Sequence, residues 1–273
     1  LIWSGILGWA CLVATGWLIY LSLERESGIL PAKTVLILTA GTVLEWHLLW
    51  SAASGMETLL FGVLCLAVLL ALRRPDVKWL ALGGLIGAAV WVRPDAVTLF
   101  GPTFLVGTIH AEKRSERIRN LLQVSAGFIL LMAPYLLFNQ WLSGEFWPTT
   151  FFAKQAEYAI LQESPFINRM LAMLLPSLTG VGVLLMPGFV YQGIAVIRRR
   201  DWTAGAWYLW WFGFHFLYAW RLPAAYQHGR YLIPAMPIFV FLGLLGTRSW
   251  LEAIPPVRFQ WVIRSTTHLS ILG

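Results

Sequence analysis

The sequence predicts an all-α, polytopic membrane helix bundle of about nine transmembrane spans with an interfacial helix on its outer side. Three observations predict it. Hydrophobic residues make up 58% of the 273 positions and charged residues only 12%, about half the charged share of a soluble domain. Mean hydropathy is +0.68. Apolar runs approaching the roughly 20 residues that cross a bilayer recur from end to end, separated by short charged breaks. The whole chain, 1–273, therefore reads as a single integral membrane domain.

The runs fall near 2–23, 31–50, 55–72, 79–92, 96–110, 120–138, 170–197, 204–220 and 231–247. The first ends at Arg25 and the second meets the third at "SGMET". There Ser54 and Glu57 are spaced to close a capping box, with Glu57 alternatively a carboxylate at a helix N-terminus beside a cavity, able to accept from a sugar hydroxyl or orient a cation. Glu45 and His47 lie in the outer part of the second span. The fourth run, Trp79 to Val92, is fourteen residues long and rises only about 21 Å against a hydrocarbon core of about 30 Å. Pro94 ends it, and its Gly83, Gly84 and Gly87 permit a close helix partner. Between the sixth and seventh runs lies 139–169, too long for an idle connection. Phe152, Ala156, Ala159 and Ile160 form an apolar stripe there at helical spacing, which predicts an amphipathic interfacial helix with Lys154 in its first turn. In the eighth run His215, among tryptophans and phenylalanines, reads as a hydrogen-bonded packing residue.

Charge sets the orientation. With "SGMET" outside, alternation places fifteen of the twenty Lys and Arg inside, Arg258 and Arg264 among them, as the positive-inside rule requires. The net charge of +7 is thus explained by topology rather than by nucleic acid. Cys11 and Cys65 sit within apolar spans and indicate neither a disulfide framework nor a metal site. No repeat of 20 to 50 residues is present.

The five cations left outside, Arg93, Lys154, Arg169, Arg221 and Arg230, need another reason to be there. Arg93 lies below the outer surface, where a lone charge costs at least about 2.5 kcal/mol unless it meets a partner or a wet cavity, and Asp95 is two residues away. The stretch "YQHGRYLIPAMP" places His228 and Arg230 around Gly229, which allows close backbone approach, so that the two side chains present donors to one pocket. Arginine's fork suits phosphate oxygens. The sequence thus predicts Arg93, Lys154, His228 and Arg230 as an anion-binding group, with Glu57 and Asp95 as positioning carboxylates.

The pieces "SGMET" at 54–58, "RPD" at 93–95, "SGEFWPTTFFAK" at 143–154 and "QHGRYLIPAMP" at 227–237 occur in an order and spacing that resembles the GT-C superfamily of membrane glycosyltransferases. The likeness is to the bacterial group related to protein mannosyltransferases, where the pieces read S-G-[ML]-E-T, R-P-[ED], Y-G-x-x-x-P-N-T-x-x-A-K and H-G-R-Y-x-x-P. It covers roughly residues 40 to 240, and Thr149 stands where the pattern has Asn. The resemblance implies a glycosyltransferase of the bacterial inner membrane. It would move a sugar from a polyprenyl-phosphate-linked donor to a lipid, glycan or protein acceptor on the extracytoplasmic face. It also implies a catalytic base in an outer loop upstream of Leu1, so the chain reads as an N-terminally truncated member. No cofactor is assigned; a divalent cation is left open, without a ligand set.

Two other classes stay open on the residues alone. Short spans broken by Gly and Pro around buried charges also describe a transporter, although no related halves are visible. A non-catalytic membrane assembly subunit is the other.

Overall fold

The structure, a computed structural model, describes residues 2–26, 31–224 and 226–253. Arg258 and Arg264, like the closing "RSTTHLSILG", lie outside the described residues. Every described element is helical. In order they are α1 (Ile2–Arg25), α2 (Ala32–Val43), α3 (Trp46–Ser54), α4 (Thr58–Ala71), α5 (Trp79–Val92), α6 (Phe100–Ile109) and α7 (Arg114–Ser143). Then follow α8 (Thr149–Glu157), α9 (Phe166–Leu174), α10 (Val181–Arg199), α11 (Trp202–Arg221), the single turn α12 (Tyr226–Gly229) and α13 (Met236–Ala253). Short 3-10 turns at Pro94–Leu99, Ala159–Glu163, Leu175–Leu178 and Ile233–Ala235 join some of them.

Each apolar run of the sequence is helical here, but they are not equivalent. Four are long and apolar enough to cross a membrane: α1, α7, α10, and α13 with its preceding 3-10 turn. A fifth arises if α2 and α3 are taken as one span, bent by 65°. The bend sits where Glu45 turns extended and accepts the His47 backbone N–H at 3.0 Å, restarting the helix. The fourteen-residue α4 and α5 are too short by themselves, and α11 is rich in Trp and Tyr, residues of the interface rather than of the hydrocarbon. The chain is therefore a helical membrane protein with four to five such spans among the described residues.

Two close parallel pairs organise the bundle. On α5, Gly83 and Gly87 abut the backbone of Val124 and Phe128 on α7, and Gly127 abuts Leu80 in return, so a Cβ at Gly83 or Gly127 would overlap a carbonyl. On α10 and α13 the same holds for Gly188 and Gly246, each against the other helix's backbone. Small residues allow such approach where lipid offers no hydrophobic drive for association. The last span, Ile233–Ala253, is 83% buried and forms the centre of the bundle.

Helix direction sorts the polar residues to two ends. One end holds the Arg73–Glu26 ion pair at 3.0 Å, Asp201 at 3.8 Å from Arg73, the His110–Thr203 contact, and Arg248 bonded to the Leu23 carbonyl. The other gathers the end of α3, the start of α4, the ends of α5, α7 and α11, and the segment before α13. All four sequence pieces meet at this second end.

Candidate functional site

Pro94 shapes the site first. A residue before proline is pushed out of the helical region, and Arg93 is extended, at φ −149° and ψ 132°, ending α5. This turns its side chain into the bundle, where it is 8% exposed. Its Nε and Nη2 donate to Asp95 Oδ2 at 3.1 and 2.8 Å, and Nη2 also donates to the Tyr218 hydroxyl at 2.8 Å. Tyr218 in turn donates to the same Asp95 oxygen. Thr98 donates to the Asp95 carbonyl and accepts from Trp210 Nε1, tying the turn to α11. A buried charge is tolerable when paired and hydrogen-bonded, and this one is.

Beside the triad lies a cavity of about 450 Å³, within the usual range for small-molecule sites. Arg93, Asp95, Glu57 and Lys154 all line it, together with Tyr218, Tyr231 and an aromatic wall of Trp91, Tyr135 and Trp147. Tyr231 is the hub. Its ring lies 5.4 Å from Lys154 Nζ, 5.7 Å from Arg93 Cζ and 4.8 Å from Arg230 Cζ, and stacks at 5.8 Å on Tyr218. Three cationic heads thus converge on one buried ring, whose negative face attracts them. Only one, Arg93, is ion-paired among the described residues.

The sequence-predicted residues separate here. Arg93, Lys154, Glu57 and Asp95 share the cavity; Arg230 stands behind its wall, donating to the Tyr231 hydroxyl at 2.9 Å and approaching Met56 Sδ at 3.9 Å. His228 goes elsewhere. It and Gly229 are both left-handed, at φ 59° and 65°, and its ring meets Trp46 and Trp50 edge-on at 4.7 and 5.1 Å. Gly229 allows a close approach, but to Pro176, so the backbone freedom serves packing. The left-handed backbone of His228 is strained for a residue with a Cβ, and its ring lies against the two tryptophans.

Two local expectations are corrected. The capping box is not formed: Gly55 ends α3 in the left-handed conformation, Ser54 bonds within its own turn, and Glu57 precedes α4 without bonding its N-terminus. The interfacial helix ends at Glu157, so Ala159 and Ile160 fall in a 3-10 turn and Lys154 lies in the last turn of α8, where the helix dipole favours a cation. Lys154's position therefore does not by itself demand an anion.

Reading the chain also missed residues. Tyr231 adjoins Arg230 and could have been flagged as its ring partner. Tyr218, 123 positions from Asp95, carried no local signal. His47 pairs through Nδ1 with Glu45 at 2.5 Å, and both are buried. His215 does pack, its Nδ1 lying 2.7 Å from the Trp211 carbonyl oxygen. Among the described residues no three His, Cys, Asp or Glu side chains are grouped to hold a metal.

The fold and site define a helical membrane protein with a cation-rimmed, aromatic-walled cavity at one end of its bundle. No family model matches the chain, and no curated protein or solved structure matches it.

Proposed function

We propose that the chain belongs to a membrane glycosyltransferase that uses a polyprenyl-phosphate-linked sugar. The acceptor is a lipid, glycan or protein on the extracytoplasmic face of the bacterial inner membrane. The observation that carries this reading is the convergence of Lys154, Arg230 and the Arg93–Asp95 pair on Tyr231 beside a cavity. Arg93, Lys154 and Arg221 line the cavity against two carboxylates, Asp95 and Glu57, and with Arg230 behind the wall positive charge is in excess, as suits a phosphate. A polyprenyl phosphate brings such an anion to the end of a bundle while its tail remains in lipid. In the full reading all nine apolar runs cross or enter the membrane, the short α4 and α5 being sheltered by neighbours, and the cavity faces outward.

The test is binding to the purified protein in nanodiscs. Undecaprenyl phosphate is expected to raise the midpoint of thermal unfolding, and undecaprenol, the same tail without the phosphate, is not. Membranes containing the protein together with the upstream base that the resemblance implies are then expected to move labelled sugar from a polyprenyl-phosphate donor. Equal responses to the two lipids would overturn the phosphate site, and with it this function.

A further inference from the structure

We propose that Glu57 holds the sugar of the donor, in a subsite walled by Trp91, Tyr135 and Trp147; this rests on the cavity being a polyprenyl-phosphate-sugar site. Two carboxylates line the cavity, and only one is at liberty. Asp95 Oδ2 already receives two bonds from Arg93 and one from Tyr218. The Glu57 side chain has no hydrogen bond and no ion pair among the described residues, and the capping role open to it is not taken up. It is exposed and lines the cavity.

The chemistry of the ligand decides between its two polar parts. An ionised carboxylate only accepts hydrogen bonds, so it repels phosphate and recognises hydroxyls. The cations around Tyr231 have the opposite preference. One cavity with an unengaged acceptor and a cluster of cations around a buried ring therefore orients a sugar phosphate in one sense, sugar toward Glu57 and phosphate toward Tyr231. The aromatic wall suits the C–H faces of a sugar, and part of it is set in place beforehand. Trp91 Nε1 donates to the Leu131 carbonyl at 2.8 Å, and its ring meets Tyr135 edge-on at 5.4 Å. Rings held this way need little ordering when a ligand arrives.

The experiment compares lipid probes that differ only at the sugar. Dissociation constants are measured in nanodiscs for undecaprenyl phosphate and for undecaprenyl phosphate carrying mannose, glucose, galactose or arabinofuranose, with the parental protein, Glu57→Ala and Lys154→Ala. The parental protein is expected to bind at least one glycosylated probe about tenfold or more tighter than the bare phosphate, the gain of a hydrogen bond to a charged group. Glu57→Ala is expected to reduce that ratio to near one while keeping, or somewhat raising, the affinity for bare phosphate, since a carboxylate that repels it is gone. Lys154→Ala is expected to weaken all probes alike. Glu57 is exposed, so its variant is expected to fold, and retained binding of the bare phosphate checks this directly. A sugar preference surviving in Glu57→Ala, or no preference in the parental protein, overturns the subsite. Failure of the parental protein to bind even bare phosphate overturns instead the function on which it rests.

Discussion

Arg93 and Lys154 bring the same charge to the same cavity, and their surroundings give them different work. Arg93 is locked by Asp95 and Tyr218, so it holds the ends of α5 and α11 together before it meets any ligand. Removing one partner of a buried ion pair leaves the other uncompensated, at about 3 kcal/mol or more. Asp95→Asn is therefore expected to lower the unfolding midpoint of the purified protein by several degrees, whereas Lys154→Ala leaves it within a degree of the parent. The binding assay should rank them in reverse. Lys154→Ala is expected to lose about tenfold to a hundredfold in affinity for undecaprenyl phosphate, since a charge-assisted bond is worth about 1.5 to 3 kcal/mol. Arg230 stands behind Tyr231, whose hydroxyl it holds, and on the proposed function adds its charge to the phosphate site. In a protein that also carries the upstream base the resemblance implies, Arg230→Ala is expected to slow sugar transfer on the order of tenfold to a hundredfold, with Arg230→Lys restoring only part because an ammonium cannot reproduce the fork. A parental rate in Arg230→Ala would make this arginine an anchor for Tyr231 alone.

Among the elements, the parallel glycine-lined contacts matter most. A Cβ at Gly188 would overlap the Gly243 carbonyl and Thr247, and backbone cannot step aside as a flexible side chain can. The α10–α13 pair carries the central helix and thereby places Tyr231 at the cavity. Gly188→Val is expected to abolish monodisperse protein on gel filtration in detergent, the large loss typical of overpacking a close interface. Gly213 on α11 faces open space, and Gly213→Ala should leave the elution profile unchanged. Loss of both variants would point to helix-wide sensitivity to substitution rather than to this contact.

For the molecule as a whole, orientation decides which compartment the cavity meets. Ser143 and Ser115 lie at opposite ends of the thirty-residue α7, about 45 Å of helix, so one element reports both faces. Single cysteines at Ser143 and Ser115, in a background lacking Cys11 and Cys65, should differ in intact cells. An impermeant maleimide is expected to label the first, and to reach the second only after lysis. The reverse pattern would turn the cavity to the cytoplasm and remove extracytoplasmic transfer. Ala225, an equivalent outer position on the sequence reading, lies outside the described residues.

The helical class and the break of α5 at Arg93–Pro94 are legible in the residues alone, because both follow from local chemistry: apolar runs, and a ring that bars the residue before it from the helix. Arg93, Asp95, Lys154 and Glu57 are legible too, since charges in so apolar a chain stand apart from their neighbours. Only the tertiary structure decided what each charge touches. Asp95 and Tyr218 meet across 123 positions, and no periodicity encodes that pairing. Nor could spacing foresee that two left-handed residues would send His228 to Trp46 and Trp50 while its near neighbour Arg230 reached Tyr231. A side chain's direction depends on backbone torsions set by packing, here of Gly229 on Pro176, and such packing exists only once distant helices have met.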